Sequence, residues 1–322
     1  MNVLVTGGAG YIGSVAVRLL CDEGHQVTVL DNLERGHPEA VDPRASLIEG
    51  DIRNADQICT AVSKTSPGAI LHFAAYAYVG ESMEDPGLYF ENNACGASNL
   101  IRAAVNSQVP KIIFSSTCAT YGQPEVMPIR EDAEQRPTNP YGESKLMVEK
   151  MLHWASTVHG TETVCLRYFN ACGAYGDLGE DHDPETHLIP LILQAAAGKR
   201  HRIAVYGTDY ATPDGTCIRD YIHIYDLARA HLLALKPGIT GAFNLGTGKG
   251  HSVMEVIECA RKVTGRNIET ELQARRDGDP ACLYASAEKA NGILGWYPER
   301  SSLEQIVGDA WQWLTTHPDG YA

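Results

Sequence analysis

The chain has 322 residues, 44% hydrophobic and 20% charged, and its 40 acidic against 26 basic side chains give a formal charge of −14. That balance excludes a general affinity for nucleic acid or an anionic membrane surface, so any phosphate must be gripped by local arginines and backbone N–H groups. No apolar run is long enough to span a bilayer, and nine cysteines with no CxxC pair predict free thiols in a reducing, cytoplasmic compartment.

Along the chain, short apolar runs alternate with amphipathic stretches. NVLVT (2–6), QVTVLD (26–31), ASLIEGD (45–51), GAILHFA (68–74), KIIFSS (111–116) and ETVCLRY (162–168) each read as a buried parallel strand, with enough chain between them for crossover helices. This predicts an α/β fold, a doubly wound parallel Rossmann sheet over residues 1–170. After RYFNACGAYG the composition turns irregular, a helix-like LIPLILQAAAGKR (188–200) follows, and GAFNLGT (241–247) reads as a strand returning to the first sheet, within a return segment around 219–247. A smaller, discontinuous C-terminal substrate domain is expected within 171–322, built on 171–218 and 248–322.

The first strand runs straight into TGGAGYIG, which sets Gly7, Gly10 and Gly13 in a GxxGxxG spacing ahead of a helix-like SVAVRLLCDEG. A tight strand-to-helix turn of this kind lets backbone N–H groups approach a pyrophosphate at a helix N-terminus. Asp31, followed by Asn32, ends the second strand where a carboxylate accepts from adenosine ribose hydroxyls and repels a 2′-phosphate, which favours NAD over NADP. Asp51, after the third strand, is a candidate adenine contact. A second glycine cluster, NLGTGKGHS (244–252), lacks the spacing of a triphosphate cradle; it reads either as a turn into the helix SVMEVIECARKV or as a substrate contact.

Residues 139–145, NPYGESK, open a helix: Asn139 caps it, Pro140 takes its first position, and Tyr141 and Lys145 fall one turn apart on one face. Thr117, in SSTCATYG at the end of the fifth strand, lies at the edge of the sheet where ligands bind. A tyrosine with its ordinary pKa of about 10 is a poor base at neutral pH, and a nearby ammonium favours the phenolate. Thr117, Tyr141 and Lys145 therefore form a proton-transfer set for oxidising a hydroxyl as NAD takes a hydride.

Together TGGAGYIG, Asp31-Asn32, HFAAYAYVGES, SSTCATYG, NPYGESK, LRYFNACGA, GTCIRDYIH, FNLGTGKG and RRDGDP resemble the extended short-chain dehydrogenase/reductase family and, within it, the nucleotide-sugar 4-epimerases. The resemblance implies reversible interconversion of UDP-glucose and UDP-galactose. Tyr141 removes the 4-hydroxyl proton, hydride passes to tightly held NAD, the 4-keto sugar turns over, and the hydride returns to its other face. It implies a cofactor site that adds Tyr11, Ile12, Ile52, Phe73, Ala74, Ala75, Asn92, Ser115 and Tyr168 to the residues above, with Tyr141 and Lys145 reaching the cofactor too. Thr117, Tyr141, Asn170, His187, Leu188, Arg219, Arg276, Asp279 and Leu283 are implied at the UDP-sugar, the arginines because a guanidinium binds phosphate bidentately. A homodimer is implied as well, paired through LYFENNACGASNLIRAAV (88–105) and YGESKLMVEKMLHWAS (141–156).

Related dehydratases carry an acidic residue just after the active-site Ser/Thr, where this chain has Cys118 and Ala119, so its keto intermediate can only be reduced again. Ala77 stands where relatives have a cofactor-facing lysine, His187 replaces a common asparagine, and Leu283 occupies the position that gates the sugar pocket. The resemblance leaves two alternatives: 4-epimerisation of UDP-N-acetylhexosamine or UDP-pentose, decided around Leu283, and a non-catalytic NAD-binding sensor, which would have lost Tyr141 or Lys145. GEDHDPETH gathers His182, Asp183, Glu185 and His187, a set suggestive of metal. Two histidines five apart with Pro184 between them fit one helix face poorly, and no metal is expected.

Overall fold

The computed structural model describes residues 1–276 and 279–321; Asp277 and Gly278, the centre of the RRDGDP motif, and Ala322 lie outside the described residues. Six strands, β1 (Asn2–Thr6), β2 (Gln26–Asp31), β3 (Ser46–Glu49), β4 (Ala69–His72), β5 (Lys111–Thr117) and β6 (Glu162–Tyr168), are joined by a seventh, Gly241–Leu245. All are parallel, in the order Gly241–Leu245, β6, β5, β4, β1, β2, β3. This is the doubly wound sheet that the apolar runs predict. β4 and β5 are buried along their whole length because helices cover both faces, whereas β3 is a half-exposed edge paired on one side, and its predicted run shortens to four residues.

Neighbouring residues of one strand feed opposite cores, as the pleat requires. Val5, Val29 and Leu71 meet Val15 and Leu19 of the helix Tyr11–Asp22 and Leu227 of Ile224–Leu233. On the other side Leu4, Ile70 and Ile112 meet Ile58, Leu100, Val148 and Leu152 from the helices Ala55–Thr65, Gly96–Asn106 and Pro140–His159. A third core joins the helices Leu188–Ala196, Val253–Thr264 and Leu303–Thr316 to Ile203, Val205 and Tyr221. No described helix is long and apolar enough to cross a membrane.

Two local departures from the sequence reading matter for the site. The helix expected over 88–105 is broken into Pro86–Tyr89, a π-wound stretch Phe90–Cys95, and Gly96–Asn106. The wider turn buries Asn92 and Asn93, a π-bulge of the sort found at functional sites. In the second glycine cluster, Thr247 donates from N and Oγ1 to the Asp220 carboxylate, and Ser252 and Glu255 cap the following helix reciprocally. That is the turn reading of NLGTGKGHS.

One buried ion pair ties these elements together. Arg167 on β6 donates from Nε to both Glu149 oxygens, at 2.9 and 3.2 Å, and both side chains are more than nine-tenths buried. Glu149 also accepts from Ser116 of β5 and from Gln135, while Arg167 reaches Tyr121, whose hydroxyl donates to Asn244 of the last strand at 2.7 Å. Glu149→Ala leaves a buried guanidinium unpaired and is expected to cost about 3–5 kcal/mol, while Glu149→Leu combined with Arg167→Met costs far less than the sum of the single changes. Urea denaturation of the three variants checks this.

Candidate active site

The strand order reverses between β1 and β4, so the loops after these two strands open a crevice at the carboxyl edge of the sheet. Gly7 follows β1 with φ +76°, and a Cβ there would press into the backbone of Phe73 and Ala74 after β4. A Cβ on Gly13 would strike Gly7 O, but on Gly10 it would meet only Gly7 O at an ordinary 3.5 Å. Gly7 and Gly13 are thus required by the protein's own packing, whereas Gly10 keeps its surface open. No side chain caps the helix Tyr11–Asp22 and no acid sits in its first turn, so its N–H groups stay available to an anion.

The remaining residues expected at a cofactor line the same edge. Asp31 ends β2, its carboxylate accepting from Ala9 N and Leu33 N at 3.0 Å; burial raises its pKa, opposed by those two bonds. Asn32 donates to Asp51 at 3.2 Å, and Arg53 grips Asp51 and pulls it down to about 2. Ile52 packs under Gly96. Phe73 packs its ring at a tilt against His231, centroids 4.5 Å apart, the Phe73 and Ala74 amides donate to Thr6 O, and Ala75 follows them. Tyr11 donates to Gly173 O at 2.6 Å, and its neighbour Ile12 packs against the core beside it. Asn92 donates to Asn93, which clamps the Tyr76 backbone, and both are buried.

Asn139 accepts from Gly142 N at 2.8 Å and starts the helix Pro140–His159 as its sequence predicts. Tyr141 is half-buried and hydrogen-bonded to the Thr117 side chain; desolvation pushes its phenol up to about 12, against that bond. Lys145 Nζ donates to Ser115 O at 2.9 Å and lies 6.0 Å from the Tyr141 ring centre. Burial alone brings the ammonium down to about 7. The lysine therefore stands beside the phenol without touching it, and in the chain by itself desolvation outweighs the charge effect expected from sequence. Ser115 also pairs with the Tyr168 hydroxyl, whose pKa burial raises.

The residues expected at a diphosphate and sugar gather across the crevice. Asn170 donates to Asp220 O at 2.9 Å. Arg219 and Leu283 lie side by side on the paired strands Ile218–Arg219 and Cys282–Leu283, and Leu283 packs against the Tyr121, Ile129 and Phe169 cluster. The Cys118 thiol, next to Thr117, is pushed up to about 12 by burial and lowered by the charge of Arg219, so the two sides of the crevice are within electrostatic reach. Asp279 pairs with Arg219 at 2.6 Å, whereas exposed Arg276 stacks 4.0 Å over Tyr206. Of the two RRDGDP residues implied at the UDP-sugar, Asp279 thus faces Arg219 and Arg276 lies over Tyr206. His187 precedes Leu188 at the start of Leu188–Ala196; burial lowers its imidazole, but Glu180 and Glu185 outweigh that and raise it to about 10.

A profile of the NAD dependent epimerase/dehydratase family matches residues 3–246. The chain belongs to that family. It is 53% identical over 328 residues to a UDP-glucose 4-epimerase of Halalkalibacterium halodurans, covering all of this chain and 98% of that protein. Its fold superposes with a TM-score of 0.94 on UDP-glucose 4-epimerase from Brucella ovis in complex with NAD, at 48% identity and 97% coverage of both chains. The TM-score is again 0.94 with UDP-glucose 4-epimerase from Bifidobacterium longum in complex with NAD+ and UDP, at 36% identity over 99% of this chain and 100% of that one. The open helix N-terminus, the bare Gly10 surface and the Asp31 carboxylate are the donors, space and acceptor that this family's dinucleotide needs.

Sequence reasoning missed Asn93, Glu149 and Arg167. Tyr141, Lys145 and Glu149 recur every fourth residue on one helix face, and Arg167 interrupts an apolar strand; both signals were present. Gly13→Ala is expected to lose the cooperative thermal transition, whereas Gly10→Ala melts with the wild type and binds NAD at least about tenfold more weakly. Melting curves and NAD titration separate the two. Lys145 titrates near 10.5 when unfolded and about 7 when folded. At or below pH 7 folding therefore bears the full cost of burying the ammonium, and that cost fades as pH rises towards 10.5. Lys145→Met should raise the melting temperature of cofactor-free protein most at low pH and not at all above about pH 10.5, which melts across the range will show.

Proposed function

We propose that the chain is an NAD-dependent UDP-glucose 4-epimerase, interconverting UDP-glucose and UDP-galactose through a 4-keto sugar. The observation that carries the reading is the Tyr141 phenol, half-buried, bonded to Thr117 and flanked by Lys145, with Cys118 and Ala119 in place of an acid. The chemistry that NAD supplies when bound is to accept the C4 hydride and return it. Tyr141 takes the proton of the 4-hydroxyl, directly or through Thr117, and gives it back when the ketone is reduced on its other face. Its high resting pKa means that the base forms only when positive charge is present in the site, and low polarity makes each such charge count. Lys145 contributes one, held in place by Ser115 O. With no carboxylic acid beside Thr117, the ketone has no route to loss of water.

Asn170 and Arg219 serve the diphosphate in this reading, with Asp279 steering the Arg219 guanidinium, and Leu188 and His187 border the nucleotide. Residues 1–170 with the return segment hold the cofactor, and the third core carries the UDP-sugar domain. The working form is a cytoplasmic homodimer paired through the outer faces of Gly96–Asn106 and Pro140–His159, on the second of which Met147, Trp154 and Val158 are exposed. Leu283 is apolar and intermediate in size, which favours neither exclusion nor acceptance of an N-acetyl group, so UDP-N-acetylhexosamine and UDP-pentose are assayed alongside.

Purified protein given UDP-galactose without added cofactor is expected to form UDP-glucose, and Tyr141→Phe to turn over about 10²–10⁴-fold more slowly. Equal turnover by the variant, or no conversion of any of the UDP-sugars after NAD is added, would move the reading to an NAD-binding sensor.

A further inference from the structure

Four side chains outside the proton-transfer set converge in the loop that precedes Leu188–Ala196. The ligating atoms of Glu180, His182, Glu185 and His187 all lie within 4.8 Å of one another. His187 Nδ1 stands 2.8 Å from Glu180 Oε1 and 3.1 Å from Glu185 Oε1, while His182 Nδ1 stands 3.2 Å from Glu180 Oε1 and 3.8 Å from Glu185 Oε2. A tetrahedral zinc ion with bonds of 2.0–2.2 Å separates its ligands by about 3.3 Å, and the observed spacings fall on either side of that.

A second observation comes from hydrogen bonding. Glu180 Oε1 and His182 Nδ1 are both buried, they are close together, and neither makes a directed hydrogen bond. The Glu180 side chain is 7% exposed, so water does not compensate it. Atoms that approach without pointing at one another are arranged as ligands of a common centre are. Charge argues the same way, because a proton on one imidazole balances one carboxylate, whereas a divalent cation balances both and uses all four atoms at once.

We propose that Glu180, His182, Glu185 and His187 form a structural site for a divalent transition-metal ion, with zinc favoured by the two imidazoles. Four protein ligands leave no open position, so the ion ties the loop rather than acting on substrate. Residues 180–187 are a loop, so the spacing of a helix face does not govern the set, and Glu180 takes the place expected of Asp183. The outer surroundings fit. Tyr11 and Tyr78 set their rings edge-on to His182, at 5.9 and 5.8 Å, and the Glu185 carboxylate is held by the N–H groups of Thr186 and His187 at 2.7 Å. The site would thus brace the loop between the glycine turn and the helix that Leu188 begins, and it commits Nδ1 of His187, leaving only Nε2 to face a substrate.

The test uses the full-length protein, stripped with chelator, incubated with excess zinc or cobalt, passed through a desalting column and analysed for metal. About one ion per chain is expected for the wild type and for His201→Ala, an exposed control, and less than about a tenth for His182→Gln and for Glu180→Gln. The cobalt form should show the visible absorption of a tetrahedral site, and zinc should raise the melting temperature of the wild type but not of His182→Gln. A wild type that retains less than about a tenth of an ion, or variants that retain as much as the wild type, would overturn the proposal.

Discussion

The geometry of the crevice depends on the buried pairing of Glu149 with Arg167. Glu149 is two turns beyond Tyr141 and one beyond Lys145 on the same helix, so fixing its carboxylate fixes the azimuth of the face that carries them. Arg167 is one residue before Tyr168 at the end of β6, and Ser116, also bound to Glu149, is one before Thr117 at the end of β5. Helix and two strand ends are thereby locked together, which fixes the elements that carry Tyr141 and Thr117. Such a pair contributes little net stability against an apolar substitute of the same shape. What it supplies is register, because a guanidinium and a carboxylate satisfy one another in few orientations.

Around that frame the electrostatics run in one direction. Burial raises Tyr141 to about 12 and lowers Lys145 to about 7, so each group moves towards its neutral form. The acids along the cofactor edge are treated differently. Asp31 is stabilised by two backbone N–H groups and Asp51 by Arg53, and Arg35 is paired with Glu81 beneath the Tyr76 and Tyr78 rings. The crevice therefore has fixed charges at the end expected to meet an adenosine and almost none at the end expected to meet the reacting carbon. A site of that kind responds strongly to a charge brought by a ligand, and Lys145, brought down to about 7, loses its own charge as pH rises through neutrality.

Those features that depend on neighbours in sequence were legible before the fold was known. The strand-to-helix glycine turn, the Asn139 cap, the helical spacing of Tyr141 and Lys145 and the seven apolar runs are all local, and all are found where the residues predict them. Choices among distant partners were not legible. Asp279 sits near Arg276 in sequence, yet pairs with Arg219, because the strands Ile218–Arg219 and Cys282–Leu283 run side by side. The π-wound Phe90–Cys95 follows from tertiary demand on Asn93, which bonds the Tyr76 backbone and Ser144; helical periodicity alone does not carry that information.

Asp220 explains how the two sides of the crevice hold their distance. Its backbone carbonyl accepts from both N and Nδ2 of Asn170, and its N–H donates to Leu283 O at 3.1 Å. Its carboxylate accepts from Thr247 and from Ala285 N, and burial raises it to about 6 in spite of those bonds. Gly246 must lack a side chain, since a Cβ there would crowd that carboxylate. One residue thus sets the positions of Asn170, the adjoining Arg219 and Leu283, so the groups proposed to face a diphosphate and the group proposed to face a sugar are not independent. A change of volume at Leu283 that shifts its backbone is carried through Asp220 to Asn170, and sugar range and diphosphate affinity should therefore vary together.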